Sequence, residues 1–497
     1  MTFGVGTAQA APRAAICGEV DGSVDFNADG CPDLVVGDPN ATVAGKARAG
    51  RINVVFGGEG GKVTPLVQGH AGVGDTPEAD DGFGTVVRAL RVNSDNYTDL
   101  VVGVPSESVG SADNAGVVHV IYGSADGLGG GRAGKVLRRG AEGVPGSPMA
   151  GDQFGAALGV DRTLRTDGTP GDRPAPGLAV GAPGVDVNGA ADAGAAGVVA
   201  FDGTAGDVAQ AAMITQDSPG ISGGPEAGDR FGAAVDLYGG GVSDEVRGYN
   251  LAVGVPGEDL GTVKDAGMVH QASGLNSDVP LTQDVAGVDG VAEAGDQFGA
   301  AVSYSAYHVN DGPSVAWLAV GVPTEDIGSA ADAGAVHLFG GEDDYPLPHL
   351  RSVNQNTPGI VGASEAGDRF GAVLALDTGR GANERASLVV GMPSEDVGSL
   401  ADAGAVHVLN PETPDKNNQI YTQEKGKGTP QAGDRFGAAL TVRLDRMMIG
   451  APDDVTYDKG ATHDISTDGQ AGGFGLLAPG SRGIPVDGAV RFGASIA

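Results

Sequence analysis

The chain has 497 residues, 89 of them glycine and 5% aromatic, and 30 basic against 64 acidic side chains give a formal charge of −34. So large an acidic excess excludes nucleic acid and an anionic membrane as partners of the bulk surface, and no apolar run of about 20 residues is present to insert in a membrane. A core of Val, Ala, Leu and Ile with few aromatics suits short strands and tight turns better than a helical bundle.

Residues 1–16 read as a leader, with 17–497 as the folded unit. Ala8-Gln9-Ala10 before Ala11-Pro12 has the form of a signal-peptide cleavage region, although a charged start and an apolar stretch are missing. Secretion is therefore expected. The two cysteines, Cys17 and Cys31, leave none over, which fits one disulfide in an exported protein. Two unrelated thiols are the alternative, and a four-cysteine zinc site is excluded by count.

The sharpest chemical motif is Asp25-Phe26-Asn27-Ala28-Asp29-Gly30-Cys31-Pro32-Asp33. Asp25, Asn27, Asp29 and Asp33 fall at positions 1, 3, 5 and 9 of a tight loop. Gly30 permits the turn, and the Cys31 carbonyl can add another oxygen. Such an all-oxygen donor set suits a hard cation, calcium. An acidic turn capped by its own side chains is the competing possibility. A second copy aligns Arg91, Asn93, Asp95, Asn96 and Asp99 with the same positions. Its first ligand has become a cation, which leaves Asn93, Asp95 and Asp99 as a weaker calcium set; Arg91 could replace the metal with an internal salt bridge. The corresponding loops around Asp167, Asp172, Asp244 and Asp445 break the spacing and are not assigned metal.

A repeat organises the rest. Over residues 366–393 an aspartate-bearing turn leads into Phe-Gly, a small-residue strand, a polar loop and an apolar run closing on Gly-x-Pro. Phe-Gly recurs at Phe83, Phe154, Phe231, Phe298, Phe370, Phe436 and Phe492; Gly-x-Pro recurs at Pro39, Pro105, Pro183, Pro256, Pro323, Pro393 and Pro452. The best copy reads as four strands, at 370–376, 387–390, 405–409 and 419–423. A period of roughly 70 residues with four strands predicts an all-β, seven-bladed β-propeller of four-stranded blades. The two series are out of phase, so the C-terminal strand at Phe492 is expected to pair into the N-terminal blade near Asp25. That closes the ring and removes two open edges.

Two further series repeat. Glu258-Asp259, Glu325-Asp326 and Glu395-Asp396 follow Gly-x-Pro, with Asp265, Asp332 and Asp402 in the next loop. Asp152, Asp229, Asp296, Asp368 and Asp434 precede Phe-Gly. All should lie on one face, opposite the calcium loop. There each Asp is expected to accept turn amides, the alternative being a face that binds cations. His119, His270, His337 and His407 share one third-strand position, where packing between blades is expected. No nucleophile elbow, zinc-protease helix or phosphate loop occurs in a supporting context.

These motifs resemble FG-GAP repeats, which form the seven-bladed propeller of integrin α subunits, and bacterial secreted proteins built of such repeats. They also resemble the propeller of glycosylphosphatidylinositol-specific phospholipase D, whose zinc-binding catalytic domain has no counterpart in these residues. The resemblance implies calcium in the hairpins between strands one and two. The family's fold is carried over and its adhesion function is not; the chain itself is expected to be an extracellular binding or adhesion-type module without catalysis, a monomer whose partner is an extracellular protein or glycan. A hydrolase with its site in the channel or on the acidic face, and a lectin-like carbohydrate binder, are the alternatives. The single Trp317 and few tyrosines count against the lectin.

Overall fold

A computed structural model describes residues 24–497 except 59–60, 71, 162–175, 240–247, 309–313, 343–344, 378–385, 414–415, 417, 444–445, 458 and 467–470. Its strands form seven four-stranded antiparallel sheets, six of them meanders whose neighbours in the chain are neighbours in the sheet. Blade 2 runs Val86–Leu90, Asp99–Val104, Val117–Ile121 and Lys135–Leu137. Blades 3 to 7 begin at Ala157–Val160, Ala234–Gly239, Ala301–His308, Val373–Asp377 and Ala439–Arg443. These first strands touch in a closed cycle, so the sheets stand around a ring.

Blade 1 is assembled from both ends of the chain. Leu34–Asp38, Arg51–Val55 and Val63–Leu66 supply strands two to four, and Ser495–Ile496 supplies the first. Val36 pairs with Ile496 and Gly37 with Ser495. The Val35 amide donates to the Ala497 carbonyl at 2.8 Å, and the Ala497 amide returns a bond to Val35 at 3.0 Å. The expected closure is present.

Each Phe-Gly phenylalanine is fully buried, where such a side chain contributes about 1.5–3 kcal/mol relative to exposure. Each lies between blades rather than within one. Phe298, for instance, packs with Val269 and Leu281 of blade 4 and with Leu318 and Val320 of blade 5. The core is thus a set of layers between blades. Phe298 also donates its amide to the Ala266 carbonyl of the preceding blade at 2.9 Å, as Phe370 does to Ala333. That bond keeps Phe370 out of the ladder, so the first strand of blade 6 starts at Val373 rather than at 370. Gly371, at φ 94°, makes the turn from one to the other. The fourth strand is also shorter than expected, Gln419–Tyr421, because Gln423 leaves the sheet and opens a short 3-10 turn, Gln423–Gly426.

Candidate metal centre

Residues 25–33 lead directly into the second strand of blade 1, Leu34–Asp38, beside the seam of the ring. Asp25, Asn27, Asp29 and Asp33 are all buried, as is Cys31. Cys17 lies outside the described residues. The loop is held by its own side chains. Asp25 accepts the Gly30 amide at 2.9 Å and Asn27 accepts that of Asp29 at 3.1 Å; Asp29 accepts that of Cys31 at 2.9 Å. Asp33 spans wider: one oxygen takes the Phe26 amide at 2.8 Å and the other takes the Gly57 amide at 3.1 Å.

The second loop repeats this wiring. Asn93 accepts the Asp95 amide at 3.1 Å and Asp95 accepts that of Tyr97 at 3.0 Å. Asp99 takes the amides of Val92 and Gly123, each at 2.9 Å. The difference falls at position 1, where Arg91 is exposed. Among the described residues no ion pair joins Arg91 to Asp95 or Asp99, so the guanidinium does not fill the loop as a salt bridge. The two loops touch, with the Asp25 amide on the Thr98 hydroxyl at 3.1 Å and the Thr98 amide on the Asp25 carbonyl at 2.8 Å.

Burial pushes Asp33 up to about 7, and the charges of Asp25 and Asp29 add to it. Asp25 is raised by burial and by Asp29, and burial carries Asp99 to about 7. An oxygen-only cluster whose carboxylates repel one another fits a hard cation in its donor chemistry. As it stands, the same oxygens cap turn amides, and among the described residues no three His, Cys, Asp or Glu side chains meet as a preformed metal site. The loops around Asp167, Asp172, Asp244 and Asp445 fall outside the described residues.

The acidic series lies at the other end of the blades, where the turns after the second and fourth strands meet: the Gly257 amide donates to the Asp229 carbonyl at 3.1 Å. Its aspartates are occupied by turns, as expected. Asp229, Asp296 and Asp368 each accept the amide three residues earlier at 2.6 Å. Asp259, Asp326 and Asp396 accept the amides of Asp265, Asp332 and Asp402 at 2.9–3.0 Å. The histidines are buried against the Phe-Gly ring of their own blade, edge-on for His119 on Phe83 and His407 on Phe370 and tilted for His270 on Phe231. They pack, as expected, and His463 on Phe436 is a fifth member that the sequence reading left out.

What the sequence reading missed is a link between blades. Gln68, Gln216, Gln283 and Gln355, each two residues past a fourth strand, donate Nε2 to Glu107, Glu258, Glu325 and Glu395 of the next blade at 2.6–2.9 Å. Gln423 does the same to Asp454 at 3.1 Å. The signal was present: Gln, acid and His recur in register in blades 2, 4, 5, 6 and 7. Blades 1 and 3 lose all three together. Blade 3 has Arg139, Val185 and Gly197 at these positions, and blade 1 has Pro479, Ala41 and Asn53.

Comparison with known proteins agrees with this architecture. Residues 83–121, in blade 2, match the FG-GAP repeat family. Phosphatidylinositol-glycan-specific phospholipase D of Mus musculus is 35% identical over 106 residues, 21% of this chain and 13% of that protein. Its Rattus norvegicus counterpart is 36% identical over 115 residues, 22% of this chain and 13% of that protein. The alignments thus span only a small part of either relative. Among solved structures, an α-L-arabinofuranosidase of Fusarium graminearum aligns at TM-score 0.38 and 10% identity, over 77% of this chain and 93% of that one, a likeness too low to bear on function. No helix among the described residues is long and apolar enough to cross a membrane. The chain is a seven-bladed propeller whose second blade matches the FG-GAP repeat family.

Proposed function

We propose that the protein is a secreted, monomeric, integrin-α-like binding module without catalysis, its ring tied at the seam by calcium. The observation behind this reading is the crowding of buried carboxylates at the seam: two oxygen-rich loops with the same wiring sit against each other where the chain closes, and in the first of them Asp25, Asp29 and Asp33 repel one another. Asp25, Asn27, Asp29 and Asp33, with the Cys31 carbonyl, would hold the ion; Asn93, Asp95 and Asp99 form the weaker second set. Calcium would supply positive charge to a carboxylate cluster that otherwise repels itself. A Cys17–Cys31 disulfide would pin the leader against this loop.

The partner is an extracellular protein or glycan. Arrays of glycans and matrix proteins, probed with the whole chain in calcium and again in chelator, test this. Selective binding that chelator abolishes is expected, and an absence of ligands on both arrays overturns it. The similarity to phosphatidylinositol-glycan-specific phospholipases D supports a hydrolase as the second reading. Release of a glycan-anchored protein by the purified chain would favour it over the binding module.

A further inference from the structure

The Gln–acid links between blades leave a donor missing. In all five, the glutamine is at least nine-tenths buried and donates Nε2 to a carboxylate oxygen, yet its own Oε1 has no partner: Gln68, Gln216, Gln283, Gln355 and Gln423 alike. A buried unpaired carbonyl is destabilising, and one repeated at every copy of a motif is part of its design. The group already in contact with each glutamine can supply the donor. A carboxylic acid facing a primary amide closes an eight-membered ring: the amide N–H donates to one carboxyl oxygen and the carboxyl O–H donates to the amide oxygen.

We propose that each of these five joints binds one proton, held as a carboxylic acid–carboxamide pair between neighbouring blades. Glu107, Glu258, Glu325, Glu395 and Asp454 are the proton acceptors, and the glutamine Oε1 of the preceding blade receives the resulting O–H. The proton comes from solvent and no bond between heavy atoms changes. The joint is then fully satisfied when protonated, and it loses one hydrogen bond and gains a buried charge when it ionises.

The surroundings favour the protonated form. Around Glu325 stand Asp296 and Glu293 from the turn that enters its blade, and Asp326 beside it. Glu258 faces Asp229, Glu226 and Asp259, the last already paired with Lys264. Glu395 faces Asp368, Glu365 and Asp396. Glu107 faces Asp81, Asp75 and Glu78. Burial first, and these like charges after it, push Glu107 to about 8 and the other three glutamates to about 7. The co-occurrence within the chain points the same way. Where Val185 or Ala41 removes the acid, Arg139 or Pro479 has removed the glutamine, although the phenylalanine that builds the blade is retained.

The test uses the whole chain with glutamate labelled at its side-chain carboxyl carbon. Infrared spectra and melting temperatures are recorded at pH 6.5 and 8.5, in chelator throughout. The wild type should show a labelled protonated-carboxyl band at pH 6.5 that disappears by pH 8.5, and it should melt lower at the higher pH. In Glu258→Gln/Glu325→Gln/Glu395→Gln, where an amide pair replaces each acid–amide pair, the band should lose about three-quarters of its intensity and the melting shift should shrink by more than half. If the triple variant does not fold, Glu325→Gln alone should remove about one quarter of the band. Absence of the band in the wild type at pH 6.5, as ionised glutamates with water on Oε1 would give, overturns the proposal. So does an unchanged band in a folded variant.

Discussion

The joint that closes the ring and the five that repeat around it solve one problem by different chemistry. At the seam, Val490 stands where other blades place the aspartate before Phe-Gly. Asp38, on the far side of the joint, holds this turn by other contacts, accepting the amides of Val490 at 3.3 Å and Arg491 at 2.9 Å. Asp38 is fully buried and paired with Arg51 at 3.1 Å, and Arg51 reaches on to the Asp487 carbonyl at 3.2 Å. The repeated joints pair their acid with a neutral amide instead. Removing one member of a buried charge pair strands the other as an uncompensated charge, whereas removing the acid of an acid–amide contact strands only a neutral amide. The chain therefore spends its buried ion pair where two distant segments must find each other.

Breaking the seam should show this most strongly. Asp38→Ala strands Arg51 as a buried unpaired cation and should cost about 3–5 kcal/mol, measured by urea unfolding. Asp38→Asn keeps the amide contacts and should cost less. Equal losses for the two would mean that the charge contributes nothing. Next in size is calcium. At free ion about 100 times Kd, binding to the folded state alone adds about 2.7 kcal/mol, so the melting temperature should rise with calcium and fall back in chelator. Asp29→Ala should abolish the rise without preventing folding; a rise that survives in Asp29→Ala would remove residues 25–33 as its source.

At a repeated joint, Glu395→Ala leaves the buried Gln355 amide unsatisfied and should cost about 1–3 kcal/mol, less than Asp38→Ala. If it costs more, the ranking of the two kinds of joint is reversed. The net pH effect should be smallest, since two families oppose each other. Burial holds His119, His407 and His463 near 4 and His337 near 3. Their folded values lie below the unfolded value of about 6.5, so they add stability as pH rises towards it. The raised glutamates, at about 7 to 8, bind more protons folded than unfolded and remove stability as pH rises from about 4.3 through those values. The two contributions should therefore largely cancel between about pH 4.3 and 6.5, and melting temperature should decline above that range. A profile still climbing at pH 8 would contradict the glutamate contribution.

Most of the fold was legible because it rests on local steric demands that leave a residue signature. Phe-Gly and Gly-x-Pro mark each blade: Gly437 sits at φ 98°, and a Cβ on Gly391 would collide with its carbonyl. Even the closure followed from phase alone. Strand limits were less legible, because Phe370 spends its amide on a neighbouring blade that no local pattern reveals. The loop of residues 25–33 announced its oxygens, but their spacing cannot say whether they face an ion or their own amides. The Gln–acid links escaped notice because their partners lie about 40 positions apart, 42 for Gln283 and Glu325, and each half looks like an ordinary polar turn residue until the halves are aligned across blades.

Closure by Ser495–Ile496 also sets a timetable for the newborn chain. Asp38 and the Val490 amide that it binds are separated by 452 positions, so at about 5–20 residues per second roughly half a minute or more passes between the synthesis of the two. Blades 2 to 7 can each pair their own strands as they emerge. Blade 1 cannot, and through that interval Leu34–Asp38 presents an unpaired edge to any passing strand. The blade begun first is thus the last to be finished, and its edge is the one that a chaperone or an export pathway would have to shield.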